Sequence, residues 1–133
     1  MKVLVDTSVW SLVLRRRKSK SNPIAVELEN LIADLGVQMI GPIRQEILSG
    51  IREESQFKKL KESLQEFPDL PLTTFHFEQA AEFFNLCRAK GIQGSNTDFL
   101  ICSVAIEQNI PIFTTDQDFS LFQTQLPIKL HTV

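Results

Sequence analysis

The sequence predicts an α/β fold in which a central parallel sheet lies between layers of helices. Three short runs, at residues 3–5, 37–40 and 111–114, are predominantly apolar and do not alternate regularly with polar positions. Such runs are typical of parallel strands that are buried on both faces. Segments with helical periodicity separate the runs, as in parallel strands joined by crossover helices. We therefore expect a three-layer α/β/α architecture.

The composition is that of one globular domain. The 133 residues are 43% hydrophobic and 23% charged. This composition provides enough apolar side chains for one core, and the chain is too short to form two domains. We therefore expect residues 1–133 to form one domain. The formal net charge of −2 argues against the strongly basic surface that binds nucleic acids non-specifically. An anionic partner must then be held by a local basic patch or by metal ions.

The cysteines and the hydropathy pattern argue against several classes of protein. Cys87 and Cys102 lie within apolar helical patterns, without the close pairing of a zinc site, so we expect reduced structural thiols. No apolar run approaches the roughly 18 residues of a membrane span. Asp6 interrupts the N-terminal apolar run where a signal peptide would continue. The pattern predicts a cytoplasmic protein that does not enter the membrane.

The N-terminal third contains the first strand and two helices. Residues 3–5 predict a buried strand, and residues 9–14 continue from it as a short apolar helix. Asn22 followed by Pro23 is typical of a helix start, because asparagine caps free backbone N–H groups and proline suits the first helical position. Gly36 ends this second helix.

The middle of the chain predicts a second strand followed by further helices. Residues 37–40 form an apolar run that ends at a Gly-Pro pair, which opens a helix over residues 41–51. Residues 54–67 are amphipathic and predict another helix. We expect a short extended piece at residues 72–75 and then a helix over residues 78–90.

The last third predicts a buried helix and two strands. Residues 97–108 are apolar on nearly every side, which indicates a helix surrounded by protein, and Ser95 or Asn96 can cap it. Residues 111–114 predict the third strand. Residues 127–130 predict an edge strand, because a proline is tolerated only at a strand start or edge.

Four carboxylates occupy positions that a parallel sheet would bring together. Asp6 and Asp116 follow predicted strands, Asp98 lies in the first turn of a helix, and Glu46 lies about one turn into the helix after the second strand. Ligands bind at this edge of α/β sheets. Each acid also has an ordinary explanation. Asp98 could complement a helix dipole, Asp116 or Asp118 could shape a turn, and Glu46 could be a surface acid.

Taken together, four converging acids need a counter-charge. The sequence has no arginine or lysine at a spacing that would obviously neutralise them, and two unit charges 4 Å apart repel by about 4 kcal/mol even at an effective dielectric of 20. Oxygen ligands without histidine or cysteine favour Mg²⁺ or Mn²⁺ over zinc. Such ions suit hydrolysis of a phosphodiester, since they activate water and stabilise both the attacking and leaving oxygens.

Other chemistries fit the sequence less well. A metal-free ribonuclease mechanism would need the distant His76 and His131 to meet. No glycine-rich phosphate-binding motif occurs. A phosphotransfer protein with Asp6 as nucleophile is disfavoured, because haloacid-type phosphatases carry a second aspartate two residues later, where this chain has Ser8.

One dense basic cluster follows the first predicted helix. It could complement the dipole at that helix end, or it could contact the phosphates of a nucleic acid. No aromatic residue is interleaved with it, so the pattern does not favour a single-strand binding surface. The cluster consists of Arg15, Arg16, Arg17, Lys18 and Lys20.

Four segments together resemble a PIN domain, and most closely a VapC-type toxin ribonuclease. They are LVDTSVW at the N-terminus, Glu46 four residues before Gly50, NTDFLICSVA around Asp98, and IFTTDQDF around Asp116. The resemblance covers essentially the whole chain. It implies that these three acids and Asp6 form the catalytic, metal-binding quartet.

The resemblance also implies further residues and partners. Asp118 matches an additional acid of some members, and Thr7, Ser8 and Thr115 match hydroxyls that line the site. The family implies cleavage of RNA with Mg²⁺ or Mn²⁺, a homodimer, and a cognate VapB-like antitoxin of a type II toxin-antitoxin system that occludes the cleft. A PIN-fold RNA-binding or scaffold protein that has lost its activity is the alternative.

The expected mechanism gives each residue of the quartet a role. Asp6, Asp98 and Asp116 bind the metal directly or through water. Glu46 holds the attacking water and assists its deprotonation. One of the two hydroxyls that follow Asp6 orients a carboxylate from behind.

Overall fold

The computed structural model describes residues 1–15 and 22–133. Within these residues the chain forms a three-stranded parallel sheet and seven helices, which confirms the predicted α/β class. Of the basic cluster, only the backbone of Arg15 is described. Arg16, Arg17, Lys18 and Lys20 lie outside the described residues.

The sheet is short and entirely parallel. Its strands are β1 (Val3–Val5), β2 (Val37–Gln38) and β3 (Ile112–Phe113), in the order β2-β1-β3. In register, Val3 pairs with Val37 and Val5 with Phe113. The central strand is buried along its whole length, as its uninterrupted apolar run predicts.

Helices connect the strands, and their ends follow the capping signals of the sequence. The side chain of Asn22 accepts a hydrogen bond of 2.8 Å from the backbone N–H of Ile24, which confirms the predicted cap. None of the helices in the described part of the chain combines the length and apolar character needed to cross a bilayer. The helices are α1 (Thr7–Arg15), α2 (Pro23–Ala33), α3 (Gly41–Leu48), α4 (Glu54–Leu64), α5 (Thr74–Ala89), α6 (Asn96–Gln108) and α7 (Asp118–Phe122).

The core lies between the sheet and the helices, and α6 is its most buried helix. Seven consecutive residues of α6, from 99 to 105, are buried. The helix packs against α5 and β3. This confirms that the apolar pattern of residues 97–108 belongs to a helix surrounded by protein.

The prediction of an extended piece at residues 72–75 is wrong, because α5 already begins at Thr74. The backbone N–H of Thr73 donates a hydrogen bond of 3.0 Å to Nδ1 of His76, three residues later. A histidine replaces the usual glutamate or glutamine of a capping box. The alternating apolar and polar residues before position 78 therefore belong to the first helical turn.

The predicted edge strand at residues 127–130 is reduced to one parallel bridge between Leu130 and Ile112. Backbone hydrogen bonds join Ile112 to Lys129 and His131, at 2.9 and 2.7 Å. The segment thus extends the sheet on the β3 side without forming a full strand.

Helix α7 was not predicted, because its residues resemble a turn. Helices α3 and α4 also end three residues earlier than expected.

Candidate active site

A cleft of about 670 Å³ brings the four predicted acids together at the carboxyl edge of the sheet. Asp6, Glu46, Asp98 and Asp116 all line it, although they come from four separate parts of the chain. The described lining contains no arginine or lysine. Its neutral polar members are Thr7, Ser8, Ser11, Gln45, Ser49 and Thr97.

Asp6 is the most buried of these acids, with 5% of the residue exposed. It stands between the end of β1 and the start of α1, and its carbonyl oxygen accepts the backbone N–H of Val9 at 3.1 Å. Its carboxylate oxygen Oδ2 accepts hydrogen bonds from the hydroxyls of Ser8, at 2.7 Å, and Thr114, at 2.8 Å. These charge-assisted bonds offset the cost of burying a carboxylate.

Asp116 reaches the cleft from the turn between β3 and α7. Its backbone N–H donates to the hydroxyl of Thr114 at 3.0 Å, and its Oδ1 accepts the backbone N–H of Asp118 at 2.9 Å. The turn is also joined to α1, because the backbone N–H of Thr115 donates to the Ser8 hydroxyl at 3.0 Å. Hydrogen bonds therefore connect the carboxyl ends of β1 and β3.

Asp98 lies in the first turn of α6 and forms a capping box with Ser95. Its backbone N–H donates to the serine hydroxyl at 3.1 Å, and its Oδ2 accepts the serine N–H at 3.0 Å. Burial raises the pKa of Asp98, and the charges of Asp6 and Asp116 raise it further, while the hydrogen bonds from Ser95 lower it. Asp98 is therefore close enough to Asp6 and Asp116 for their charges to affect its ionisation.

The loop before α6 is packed tightly behind this site. A Cβ atom added at Gly94 would lie 2.5 Å from Phe122 and 3.0 Å from Phe99. Both phenylalanines are fully buried. A glycine at position 94 thus lets aromatic side chains pack directly under the helix start that carries Asp98.

Glu46 comes from α3 and is the most accessible of the four. Its Oε1 accepts a hydrogen bond of 2.6 Å from the hydroxyl of Thr7, at the start of α1. Helices α1 and α3 pack against each other, so this bond crosses a helix interface at the mouth of the cleft. The carboxylate is therefore oriented although Glu46 is an exposed residue.

The hydroxyls of the site are only partly those expected from the sequence. Thr7 and Ser8 each donate to an acid of the quartet, which is the contact that an orienting role requires. Thr115 is exposed and contributes its backbone N–H, whereas the hydroxyl that contacts Asp6 belongs to Thr114. Thr114 directly follows β3 and stands two residues before Asp116, and this position at the carboxyl edge of the sheet was a signal for the residue.

Asp118, the predicted additional acid, is exposed. It contributes its backbone N–H to Asp116, and its side chain is not part of the cleft lining. The backbone of Asp118 thus stabilises the turn that carries Asp116.

The histidines and cysteines lie in environments of their own. His76 pairs with Glu107 at 2.8 Å, and His131 pairs with Glu27, so each histidine is engaged by a different acid outside the cleft. Cys87 and Cys102 are free and buried, and burial raises the pKa of both thiols. The thiols are therefore kept protonated, as expected for structural cysteines.

The chemistry of the acids fits a hard divalent cation. Carboxylate and hydroxyl oxygens are the donors that Mg²⁺ and Mn²⁺ prefer. The described residues contain no group of three or more His, Cys, Asp or Glu side chains already gathered as a metal site. Hydroxyl and backbone donors hold the individual acids instead, through Thr7, Ser8, Ser95, Thr114 and Asp118. A cation would offset the mutual repulsion of the acids, which adds to the effect of burial in raising the pKa of Asp98.

Comparison with known proteins gives one family and a set of related folds. The PIN domain model matches residues 3–123. The search of curated proteins gives no match.

Three solved structures illustrate the likeness. VapBC2 from Rickettsia felis, in a structure bound to a DNA fragment from the promoter of the VapBC2 proteins, has a TM-score of 0.77 at 18% identity, with 98% of each chain covered. FitAcB from Neisseria gonorrhoeae has a TM-score of 0.74 at 18% identity, covering 98% of this chain and 96% of that chain. VapBC-1 from nontypeable Haemophilus influenzae has a TM-score of 0.71 at 15% identity, covering 98% of this chain and 97% of that chain. At these identities the likeness shows a shared fold.

Proposed function

This chain belongs to the PIN domain family, and we propose that it is a divalent-metal-dependent endoribonuclease, the toxin of a type II toxin-antitoxin system. The observation that carries the proposal is the convergence of Asp6, Glu46, Asp98 and Asp116 on one cleft. The sequence resemblance to VapC-type toxin ribonucleases supports it, as does the likeness in fold to VapBC and FitAcB.

Three acids would hold the metal, Mg²⁺ or Mn²⁺. Asp6, Asp98 and Asp116 all line the cleft, and the charges of Asp6 and Asp116 add to burial in raising the pKa of Asp98, so a cation among them would relieve repulsion. When bound, such an ion activates water and stabilises the negative charge that develops on a scissile phosphate. An acidic cleft without a cation repels RNA phosphates, so binding of the substrate would also depend on the ion.

The acids and hydroxyls of the chain would supply orientation and proton transfer. Glu46 is accessible and would hold the attacking water and accept its proton. The hydrogen bond from Thr7 leaves Oε2 of Glu46 as the oxygen for this task, because Oε1 is engaged at 2.6 Å. In-line attack on the phosphorus then breaks the phosphodiester bond.

The proposed partners are those of a toxin that is held inactive until needed. The chain would act as a cytoplasmic homodimer of one domain over residues 1–133, and a VapB-like antitoxin would occlude the cleft. The likeness in fold to the VapBC2 and VapBC-1 structures supports the proposal that the partner is a VapB-like antitoxin. The arginines and lysines of the basic cluster, at positions 15–18 and 20, would contact the RNA backbone beside the cleft.

One observation favours a second candidate, a PIN-fold protein that binds RNA without cleaving it. Within residues 1–15 and 22–133, no three His, Cys, Asp or Glu side chains are gathered closely enough to hold a metal ion, as would be expected if the cleft served binding and not metal-dependent cleavage. The two candidates differ in whether RNA is cut.

Purified protein incubated with RNA separates these candidates. We expect cleavage with Mg²⁺ or Mn²⁺ and none after addition of a chelator, because four carboxylates alone repel the phosphate. Protein carrying Asp98→Asn, purified in parallel, controls for contaminating nucleases. Cleavage that persists in the chelator at the wild-type rate, and is absent from the mutant preparation, would refute metal dependence. A wild-type protein that binds RNA and leaves it intact would support the second candidate.

A further inference from the structure

The two oxygens of the Asp6 carboxylate have different surroundings. In the described part of the chain, three hydrogen bonds reach this side chain and all of them end on Oδ2. They come from the backbone N–H and the hydroxyl of Ser8, at 3.4 and 2.7 Å, and from the hydroxyl of Thr114, at 2.8 Å. Oδ1 is therefore the oxygen left for a ligand in the cleft that Asp6 lines.

The protons of the two hydroxyls can be assigned from their partners. A hydroxyl has one proton to donate and two lone pairs. Thr114 accepts from the backbone N–H of Asp116 at 3.0 Å and donates to Asp6. Ser8 accepts from the backbone N–H of Thr115 at 3.0 Å and also donates to Asp6. Both hydroxyls thus have Oδ2 of Asp6 as an acceptor, and the two hydroxyl oxygens also lie 3.2 Å from each other.

The Thr114 hydroxyl contacts both strand ends of the site. It bonds the carboxylate after β1 and the backbone of the acid after β3, and these strands pair directly, with Val5 opposite Phe113. Its removal would take one of three hydrogen bonds from Oδ2 of Asp6, leaving those from Ser8, and would leave the Asp116 N–H without this acceptor. Two proposed metal ligands would then lose their relative placement.

We propose that Thr114 is a positioning residue of the metal site, which fixes Asp6 so that Oδ1 alone faces the cation and which holds the backbone of Asp116 beside it. This inference rests on the proposed function, since it assigns a role toward the metal. Residues that orient metal ligands from behind commonly affect affinity by about 10–100-fold when they are changed.

The test measures binding of Mn²⁺ alone, without RNA, by calorimetric titration of the full chain. Thr114→Val keeps the shape of the side chain and removes the hydroxyl, so we expect Mn²⁺ to bind about 10–100-fold more weakly. Thr114→Ser restores the hydroxyl and should restore affinity. Thr132→Val, at an exposed position near the C-terminus, is the matched control and should bind as the wild type does.

A purely structural role for Thr114 gives a different result. In that case Thr114→Val would lower the melting temperature of the metal-free protein and leave the Mn²⁺ affinity of the folded protein unchanged, which would overturn the inference. Equal weakening by Thr114→Val and Thr114→Ser would overturn it too, because the hydroxyl would not be the cause. If Thr114→Val does not fold, Ser8→Ala removes the other hydroxyl donor to the same oxygen and must weaken binding in the same way.

The same titration separates this inference from the proposed function. If the wild-type protein binds no Mn²⁺, both are refuted. If the wild type binds Mn²⁺ and the hydroxyl-free variants bind it equally well, the inference alone is refuted.

Discussion

Two buried polar groups in this molecule, Asp6 and His76, show why burial alone does not identify a functional residue. Asp6 is 5% exposed and His76 is 3% exposed, and both accept hydrogen bonds at the start of a helix. Asp6 opens onto a cleft that it shares with other acids. His76 lies between α5 and α6, where Glu107 completes its bonding.

The difference lies in charge compensation. Nδ1 of His76 accepts the backbone N–H of Thr73, so Nε2 carries the proton and donates to Glu107 at 2.8 Å. Hydrogen bonds from Gln108 and from His76 lower the pKa of Glu107. At the cleft, by contrast, burial raises the pKa of Asp98, and the neighbouring charges of Asp6 and Asp116 raise it further. A satisfied group stabilises the fold, whereas an uncompensated cluster calls for a ligand.

The largest expected effect comes from removing one charge of the cluster. Asp98→Asn keeps the hydrogen bonds to Ser95 and should lower RNA cleavage by at least ~100-fold, the upper range for changing an outer-shell partner of a metal ligand. The metal-free variant should melt at or above the wild-type temperature, because a repulsive charge is gone. Cleavage assays and thermal melts measure both effects.

Asp34→Asn serves as the control for this variant, since Asp34 is an exposed acid at the end of α2. It should retain activity. An Asp98→Asn protein that melts far below the wild type without metal would show that the acids serve the fold, and the contrast with His76 would disappear.

The opposite pattern is expected at His76. His76→Phe fills a similar volume but removes the acceptor for Thr73, and an unsatisfied buried donor costs about 1–3 kcal/mol. The free energy of unfolding, measured in urea, should fall by this amount, while RNA cleavage below the melting transition stays at the wild-type level. Loss of cleavage without loss of stability would assign His76 a functional role and remove the distinction.

Much of the fold was predictable because local signals agreed with tertiary packing. Apolar runs predicted β1 and β3, and Asn22 with Pro23 predicted the start of α2. The start of α5 was missed, because a histidine at the third helical position is not a familiar capping residue. Helix α7 was missed because it has only five residues and follows a turn-like sequence.

The candidate site was predictable in its acids and less so in their support. Asp6 and Asp116 followed strand signals, and the topology then placed them at one edge. The hydroxyl that contacts an acid is determined by the direction of the side chain at the end of the strand. Thr114 and Thr115 are neighbours, yet only the hydroxyl of Thr114 bonds Asp6, whereas Thr115 contributes its backbone N–H. Sequence spacing alone rarely resolves such a detail.

The smallest expected effect concerns the basic cluster. For single strands, each neutralised phosphate contributes about 0.7 to the slope of log affinity against log salt, so changing Arg15, Arg16 and Arg17 together to alanine should flatten the slope by up to ~2. RNA affinity at several salt concentrations measures this. Changing Lys58, Lys59 and Lys61 of the exposed face of α4 to alanine is the matched control. Equal slopes for the arginine variant and the wild type would show that the cluster does not bind RNA. A variant that binds RNA normally but resists the antitoxin would assign the cluster to that partner.

The most direct test of the central claim, that the acids of the cleft form one divalent-cation site, is the melting temperature of the protein as Mn²⁺ is added in the absence of RNA. A ligand that binds only the folded state stabilises it by about 2.7 kcal/mol at 100 times its dissociation constant. We predict a saturable rise for the wild type and for His76→Phe, and a much smaller rise for Asp98→Asn. Melting temperatures that do not respond to Mn²⁺, or that rise equally in all three proteins, would contradict the account.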